Sequence, residues 1–211
     1  MGLATIPMLT PPEGFEAQVR REAFRLLLET REPVTTERLS RSLATNPERV
    51  SLALERLQEA GRVRTDESGR VVGSAGLSVV PDRHRVEIEG RRFWTWCAYD
   101  VLGIVGALKA DARTLTRSPA TGKQLELRFR RGRPDDNDLV LFRPDAAFAA
   151  CCTNVYEDWC PNSNLFEDAA ADEAWLREHG VSGTILPVLE AAEEARKEWE
   201  PLVEGGSVPT Q

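Results

Sequence analysis

Between Val101 and Leu108 the chain reads Val-Leu-Gly-Ile-Val-Gly-Ala-Leu, with no polar side chain anywhere in the run. A helix that is apolar all round must be covered on every side, and this run is far shorter than the ~20 residues of a membrane span. It therefore predicts a buried helix beginning near Ala98, around which the rest of the fold has to close. The 211 residues, 41% hydrophobic and 29% charged, suffice for one large or two small domains and exclude both a disordered chain and a miniature disulfide scaffold.

Around that helix the texture is mixed. Val86-Glu87-Ile88-Glu89 alternates as a strand, Gly90 turns the chain, and Phe93-Trp94-Thr95-Trp96 leads into the helix. Leu125 to Phe129 alternates again, Arg133-Pro134-Asp135-Asp136-Asn137 has turn composition, and Leu139 to Phe142 follows, which predicts an antiparallel hairpin. Asp168 can cap a helix running through Trp175 and Leu176 to Gly180. Thr184 to Leu189 reads as a buried strand, Glu190 to Leu202 as a closing helix, and Gly205 to Gln211 as a frayed tail. Residues 81–211 are thus expected to form an α+β domain with a mixed or antiparallel sheet.

The first 80 residues are organised differently. Phe15, Val19, Ala23, Phe24, Leu27 and Leu28 recur at helical spacing, and Pro33 closes that segment. Thr35 or Thr36 can cap a short helix bearing Leu39 and Leu43, and Asn46 with Pro47 opens a third bearing Val50, Leu54 and Leu57, which Gly61 ends. Val63 and Val71-Val72 then flank the turn composition Asp66-Glu67-Ser68-Gly69. Three helices and a hairpin make a winged-helix-like pattern for residues 1–80. A DNA reader of that type needs a positive face. Here 11 arginines and no lysine stand against 11 acids, and the third helix carries Glu48, Glu55 and Glu59. A packing module fits better, and the overall charge of −7 disfavours nucleic acid as a partner.

No Walker loop, Gly-x-Gly-x-x-Gly or Gly-x-Ser-x-Gly occurs. The start, Met1 to Gly14, lacks a basic flank with an apolar core, so a cytoplasmic protein with reduced thiols is expected, without membrane association. The four cysteines are Cys97, Cys151, Cys152 and Cys160; with no Cys-x2-Cys pair, and His84 and His179 at no ligand spacing, zinc is a poor fit. His84 suits a strand end and His179 a helix C-terminus.

Cys97 and Asp100 stand three apart at the expected start of the apolar helix, so they share one face and can touch one reactant. A helix N-terminus is expected to lower the thiol's pKa, whereas burial among Trp94, Trp96 and the helix should raise that of Asp100. Such a pair can trade a proton. The alternative is that Asp100 only favours the helix start while Cys97 packs as a small hydrophobe.

The stretch Gly90-Arg91-Arg92-Phe93-Trp94-Thr95-Trp96-Cys97-Ala98-Tyr99-Asp100, behind the strand Pro81 to Ile88, resembles the organomercurial (alkylmercury) lyase family. Ala120-Thr121-Gly122 ahead of a strand, and a late cysteine before an Asn-x-Phe-like element and Trp175, are similar too, so the resemblance covers most of the chain. It implies a lyase that cleaves the carbon–mercury bond with two cysteines and one aspartate, and it places the first cysteine on Cys97 and the aspartate on Asp100. For the second, Trp159-Cys160-Pro161-Asn162-Ser163-Asn164-Leu165-Phe166 ahead of Trp175 matches the family spacing and indicates Cys160; Cys151-Cys152 is the rival. Those two are otherwise an accessory metal relay or a pair of buried small residues beside Phe148. Ser118 occupies a position where some members carry a cysteine.

Mercury(II) is soft and prefers thiolates, so two sulfurs hold it better than one sulfur and a carbon. The implied products are a hydrocarbon and Hg(II) held by Cys97 and Cys160 near Asp100, with no cofactor required; cellular thiols and a mercuric reductase are the expected partners that take the metal away. A soft-metal-binding relative without lyase activity, and a metal-responsive winged-helix regulator, are the alternatives.

Overall fold

The computed structural model describes residues 12–135 and 138–203. The N-terminal helices form where the capping residues stand: α1 (Gly14–Thr30), α2 (Thr36–Ser42) and α3 (Pro47–Glu59). Thr35 and Asn46 accept the backbone N–H of Arg38 and Arg49, and Pro47 occupies the first turn of α3. Their apolar faces meet through Val19, Phe24, Leu27, Leu39, Val50 and Leu57, all buried. The hairpin follows as β1 (Val63–Thr65) and β2 (Val71–Ser74).

Strand pairing continues across the expected domain boundary. β3 (Leu77–Ser78) joins β2 to β5 (Arg91–Thr95), Leu77 facing Thr95 and Ser78 facing Trp94. β4 (His84–Ile88), β6 (Ala112–Arg117), β7 (Gln124–Arg130) and β8 (Arg133–Pro134) complete an eight-stranded antiparallel sheet in the order β1-β2-β3-β5-β4-β6-β7-β8. A second antiparallel sheet of three strands, β10-β9-β11, uses β9 (Val140–Pro144), β10 (Asn164–Phe166) and β11 (Gly183–Pro187).

The apolar helix is α4 (Ala98–Leu108), with every residue from Ala98 to Ala107 buried. It packs against strands of both sheets and lies along α7 (Val188–Val203). Full burial of Val101, Leu102, Ile104 and Val105 contributes roughly 1.5–3 kcal/mol each. Its glycines set how close the helices come: a Cβ on Gly103 would lie 2.3 Å from the Trp199 ring. Trp199 Nε1 donates to the Ala75 carbonyl at 2.9 Å, so α7 is tied to the β2–β3 turn as well.

Two expectations are corrected. β7 turns at Arg131-Gly132, both at positive φ, into β8 and not into the strand beyond; β9 crosses to the small sheet with β10 and β11, where both its faces are covered, Phe142 packing with Phe166 and with Trp175 of α6 (Ala169–His179) and Leu141 joining the main core. Asp136 and Asn137 of the expected turn, and the tail Gly205 to Gln211, lie outside the described residues. The strand expected over Thr184–Leu189 is β11, a largely exposed strand with only Leu186 buried, and the chain becomes helical at Val188. Asp168 and Gly180 do bound α6, and His179 accepts its place at the helix end, with Nδ1 2.9 Å from the Trp175 carbonyl.

Candidate active site

Cys97 is the N-cap of α4. Its sulfur accepts the backbone N–H of Asp100 at 3.4 Å while the Asp100 carboxylate accepts the N–H of Cys97 at 2.8 Å, a reciprocal capping box with a thiol in the usual hydroxyl's place. Thr95 Oγ1 fixes the Cys97 carbonyl at 3.0 Å. The sequence at a helix start thus positions a sulfur and a carboxylate together with no further device.

Cys160 arrives from far along the chain, where a π-helical turn (Val155–Trp159) passes into a 3₁₀ turn (Cys160–Asn162). Asn154 opens the turn by accepting the N–H of Glu157, and its amide reaches back to the Glu59 carbonyl at the end of α3. The exit is tied to the helix start by the Ala98 N–H, which donates to the Ser163 carbonyl at 3.1 Å. Cys97 Sγ, Cys160 Sγ and an Asp100 carboxylate oxygen all lie within 4.8 Å of one another, and all three residues are buried. They form the one group of this kind among the described residues.

Burial governs the electrostatics. Cys97 is pushed well above the ordinary thiol range, by desolvation first and by its hydrogen bond to Cys160 next; the Asp100 N–H pulls the other way but does not prevail. The helix-start lowering expected for this thiol is therefore overturned. Cys160 is raised too, by burial, though the hydrogen bond from Cys97 and the nearby Arg83 oppose the rise. Asp100 is pushed up to about 6 by burial, against the pull of Cys97 and Arg20, as its dry surroundings led us to expect.

These groups open on a cavity of about 640 Å³ lined also by Arg20, Arg62, Gly76 and Trp96. Of these four, only Trp96 belongs to the site as the sequence pattern draws it. Gly76 has a physical signature only in three dimensions: its φ is +88°, and a Cβ there would come 2.2 Å from Asp100 Oδ1. Arg20 carries a signal in the sequence itself, because it interrupts the apolar stripe of α1 between Val19 and Phe24. His84 lies elsewhere, buried at the start of β4 with Nδ1 2.6 Å from Thr116 Oγ1, and burial holds its pKa at about 4.

Cys151 and Cys152 follow α5 (Ala146–Ala149) and stay apart from this group. Cys151 is exposed and Cys152 half-buried, so they are not the buried small residues of one reading above. The segment is too short and too close to the surface to cover both of them.

A mixed α+β scaffold that buries two thiols and a protonatable carboxyl beside a cavity offers a donor set of the kind that suits a soft metal. The alkylmercury lyase family model matches residues 77–199. An alkylmercury lyase of Streptomyces lividans is 31% identical over 194 residues, 90% of this chain and 85% of the relative. Alkylmercury lyases of Staphylococcus epidermidis and Pseudomonas putida are 31% and 30% identical, covering 83% and 75% of this chain and 79% and 73% of theirs. The crystal structure of the mercury-bound form of MerB2 superposes with a TM-score of 0.80 over 93% of this chain and 94% of that one, at 21% identity, which shows a common fold. The chain belongs to the alkylmercury lyase family, and with it to the carbon–mercury lyases.

Proposed function

We propose that the chain cleaves the carbon–mercury bond of organomercurials by protonolysis, with Cys97 and Cys160 as the mercury ligands and Asp100 as the proton carrier. The observation that carries this reading is the convergence of two sulfurs and a carboxylate within 4.8 Å in a buried site. The incoming species is R–Hg⁺, released from whatever thiol delivered it.

Cys160 is the first ligand: its sulfur takes R–Hg⁺ from the delivering thiolate, which leaves as the free thiol carrying the Cys160 proton. Cys160 accepts the hydrogen bond from Cys97 and feels the positive charge of Arg83, so its thiolate is the better stabilised of the two. Asp100 then takes the proton of Cys97, whose thiolate joins the same mercury. Two sulfurs push electron density onto the metal and make the bound carbon basic. Asp100 returns the proton to that carbon, the electron pair of the C–Hg bond forms the C–H bond, and RH leaves. Hg(II) remains on the two sulfurs and the carboxylate is ionised again, so nothing is oxidised or reduced and no organic cofactor enters.

A carboxyl poised near 6 suits both halves of that cycle, because it can hold and give up a proton near neutral pH. In this reading cellular thiols and a mercuric reductase receive the Hg(II), the protein works in the cytoplasm, and the N-terminal unit is a winged-helix-like packing module. That unit contributes to the site through Arg20 of α1 and the carbonyl of Glu59 that anchors the Cys160 turn. Cys151 and Cys152 stay outside the chemistry.

Gas chromatography of the headspace over methylmercury or phenylmercury, in excess thiol, tests it. Methane or benzene forms with the native chain and not with Cys97→Ser. Tight mercury binding without hydrocarbon would overturn the lyase reading in favour of a soft-metal binder.

A further inference from the structure

Arg20 is a buried cation that the reaction outlined above does not use. It lies on α1, only 8% exposed, and lines the cavity that holds Cys97, Asp100 and Cys160. Its Nε is fully buried without a hydrogen-bond partner. An unpaired guanidinium N–H out of water is expensive, and buried charges are normally matched by an acceptor.

Asp100 feels the charge of Arg20, yet none of the acids lining the same cavity accepts the Arg20 Nε–H, and each has other donors. Asp100 accepts the Cys97 N–H, Glu198 accepts the Tyr99 hydroxyl at 2.9 Å, and Asp145 accepts the N–H groups of Ala147 and Phe148 and the Ser182 hydroxyl. Arg62 lines the cavity too and brings a second positive charge to it. The space, about 640 Å³, far exceeds what a methyl group needs and lies within the range that accepts substituted aromatic ligands.

We infer that Arg20 forms a carboxylate-binding subsite in this cavity, so that the protein favours mercurials that carry a carboxylate into the site with the metal. The inference rests on the lyase reading for its substrate class. The carboxylate can stand on the organic group or on the thiol that accompanies mercury, and the guanidinium fork suits either.

Two assays on the full chain test it. In the first, kcat/KM is measured for para-mercuribenzoate and for phenylmercury with cysteamine, which has no carboxylate, as the exchanging thiol. Arg20→Met lowers the ratio of the two constants about tenfold or more, through KM, as loss of a charge-assisted hydrogen bond predicts, and Arg20→Lys restores part of it. Repeating the phenylmercury series with mercaptoacetate separates the sources: an Arg20-dependent gain there places the carboxylate on the thiol. In the second assay, benzoate binding is followed by tryptophan fluorescence, which requires no bond cleavage. Benzoate binding that Arg20→Met weakens about tenfold upholds the subsite even when no mercurial is cleaved, in which case the lyase reading alone falls. Equal losses for both mercurials under both thiols, with benzoate binding indifferent to residue 20, would assign Arg20 to Asp100 as a counter-charge and overturn the subsite. Should Arg20→Met fail to fold, Arg20→Gln and Arg20→Lys carry the same comparison.

Discussion

The chain has two pairs of cysteines, and they are opposites. Cys151 and Cys152 are neighbours in sequence, yet their sulfurs point to different carbonyls, those of Ala147 and Phe148, one turn back along the chain. Each thiol is thus turned to its own carbonyl, so adjacency in sequence brings the two sulfurs to no shared ligand. Cys97 and Cys160 are far apart in sequence, yet they are brought together by a capped helix start and an irregular turn, with a carboxylate close to both. A two-sulfur grip on one ion depends on convergent geometry, which the fold supplies to the distant pair alone.

The largest expected effect separates the pairs outright. Cys97→Ser and Cys160→Ser abolish hydrocarbon release from phenylmercury, and Asp100→Asn lowers kcat by roughly 10²–10⁴, the usual span for a lost general acid. Circular dichroism should find all three folded. Full activity in Cys160→Ser together with a dead Cys152→Ser would exchange the roles of the two pairs.

Next comes the stability that the buried carboxyl gives up. Asp100 is raised from 3.8 to about 6 in the folded chain. Between those values the folded state holds more protons than the unfolded one, so its contribution to stability falls as pH rises through the window. At pH 7 the ionised group costs on the order of 3 kcal/mol. Asp100→Asn, which keeps an acceptor for the Cys97 N–H, should therefore gain stability at pH 7 in urea melts and lose that gain toward pH 4. A variant no more stable than the native chain at pH 7 would mean that the site does not strain its acid.

A smaller effect follows in the rate. Asp100 must be ionised to receive the Cys97 proton, so kcat/KM for phenylmercury should fall about tenfold per pH unit below about 6. A profile flat down to pH 4.5 would remove Asp100 as the base.

Much of this was legible in the residues. Caps at Thr35, Asn46 and Asp168, the apolar run that became α4, and the spacing of Cys97 and Asp100 are local signals, and local signals survive into the fold. What could not be read is what depends on distant partners. The destination of β9 turns on what covers its two faces, the main core over Leu141 and Trp175 with Phe166 over Phe142. The place of Gly76 under Asp100 needs the β2–β3 turn laid against α4. The rise of the Cys97 pKa is a matter of how completely three elements close over one sulfur, and a helix-start argument counts only the nearest N–H. Arg20 was the readable exception, a charge on an apolar stripe.

The smallest expected effect concerns the surface pair. Cys151→Ser and Cys152→Ser should keep phenylmercury turnover within about twofold of the native chain, since surface substitutions away from a packed feature change little. The same residues should nonetheless react first with a bulky disulfide reagent, Cys151 ahead of Cys152: Cys151 is exposed and Cys152 half-buried with a thiol raised by partial burial and Asp158, whereas Cys97 and Cys160 lie fully buried with raised pKa values. Mass-spectrometric mapping after brief labelling checks the order. Labelling of Cys97 or Cys160 ahead of Cys151 would show that the cavity admits the reagent and activates a thiol, and the contrast between an inert surface pair and a guarded inner pair would then have to be redrawn around access and not burial.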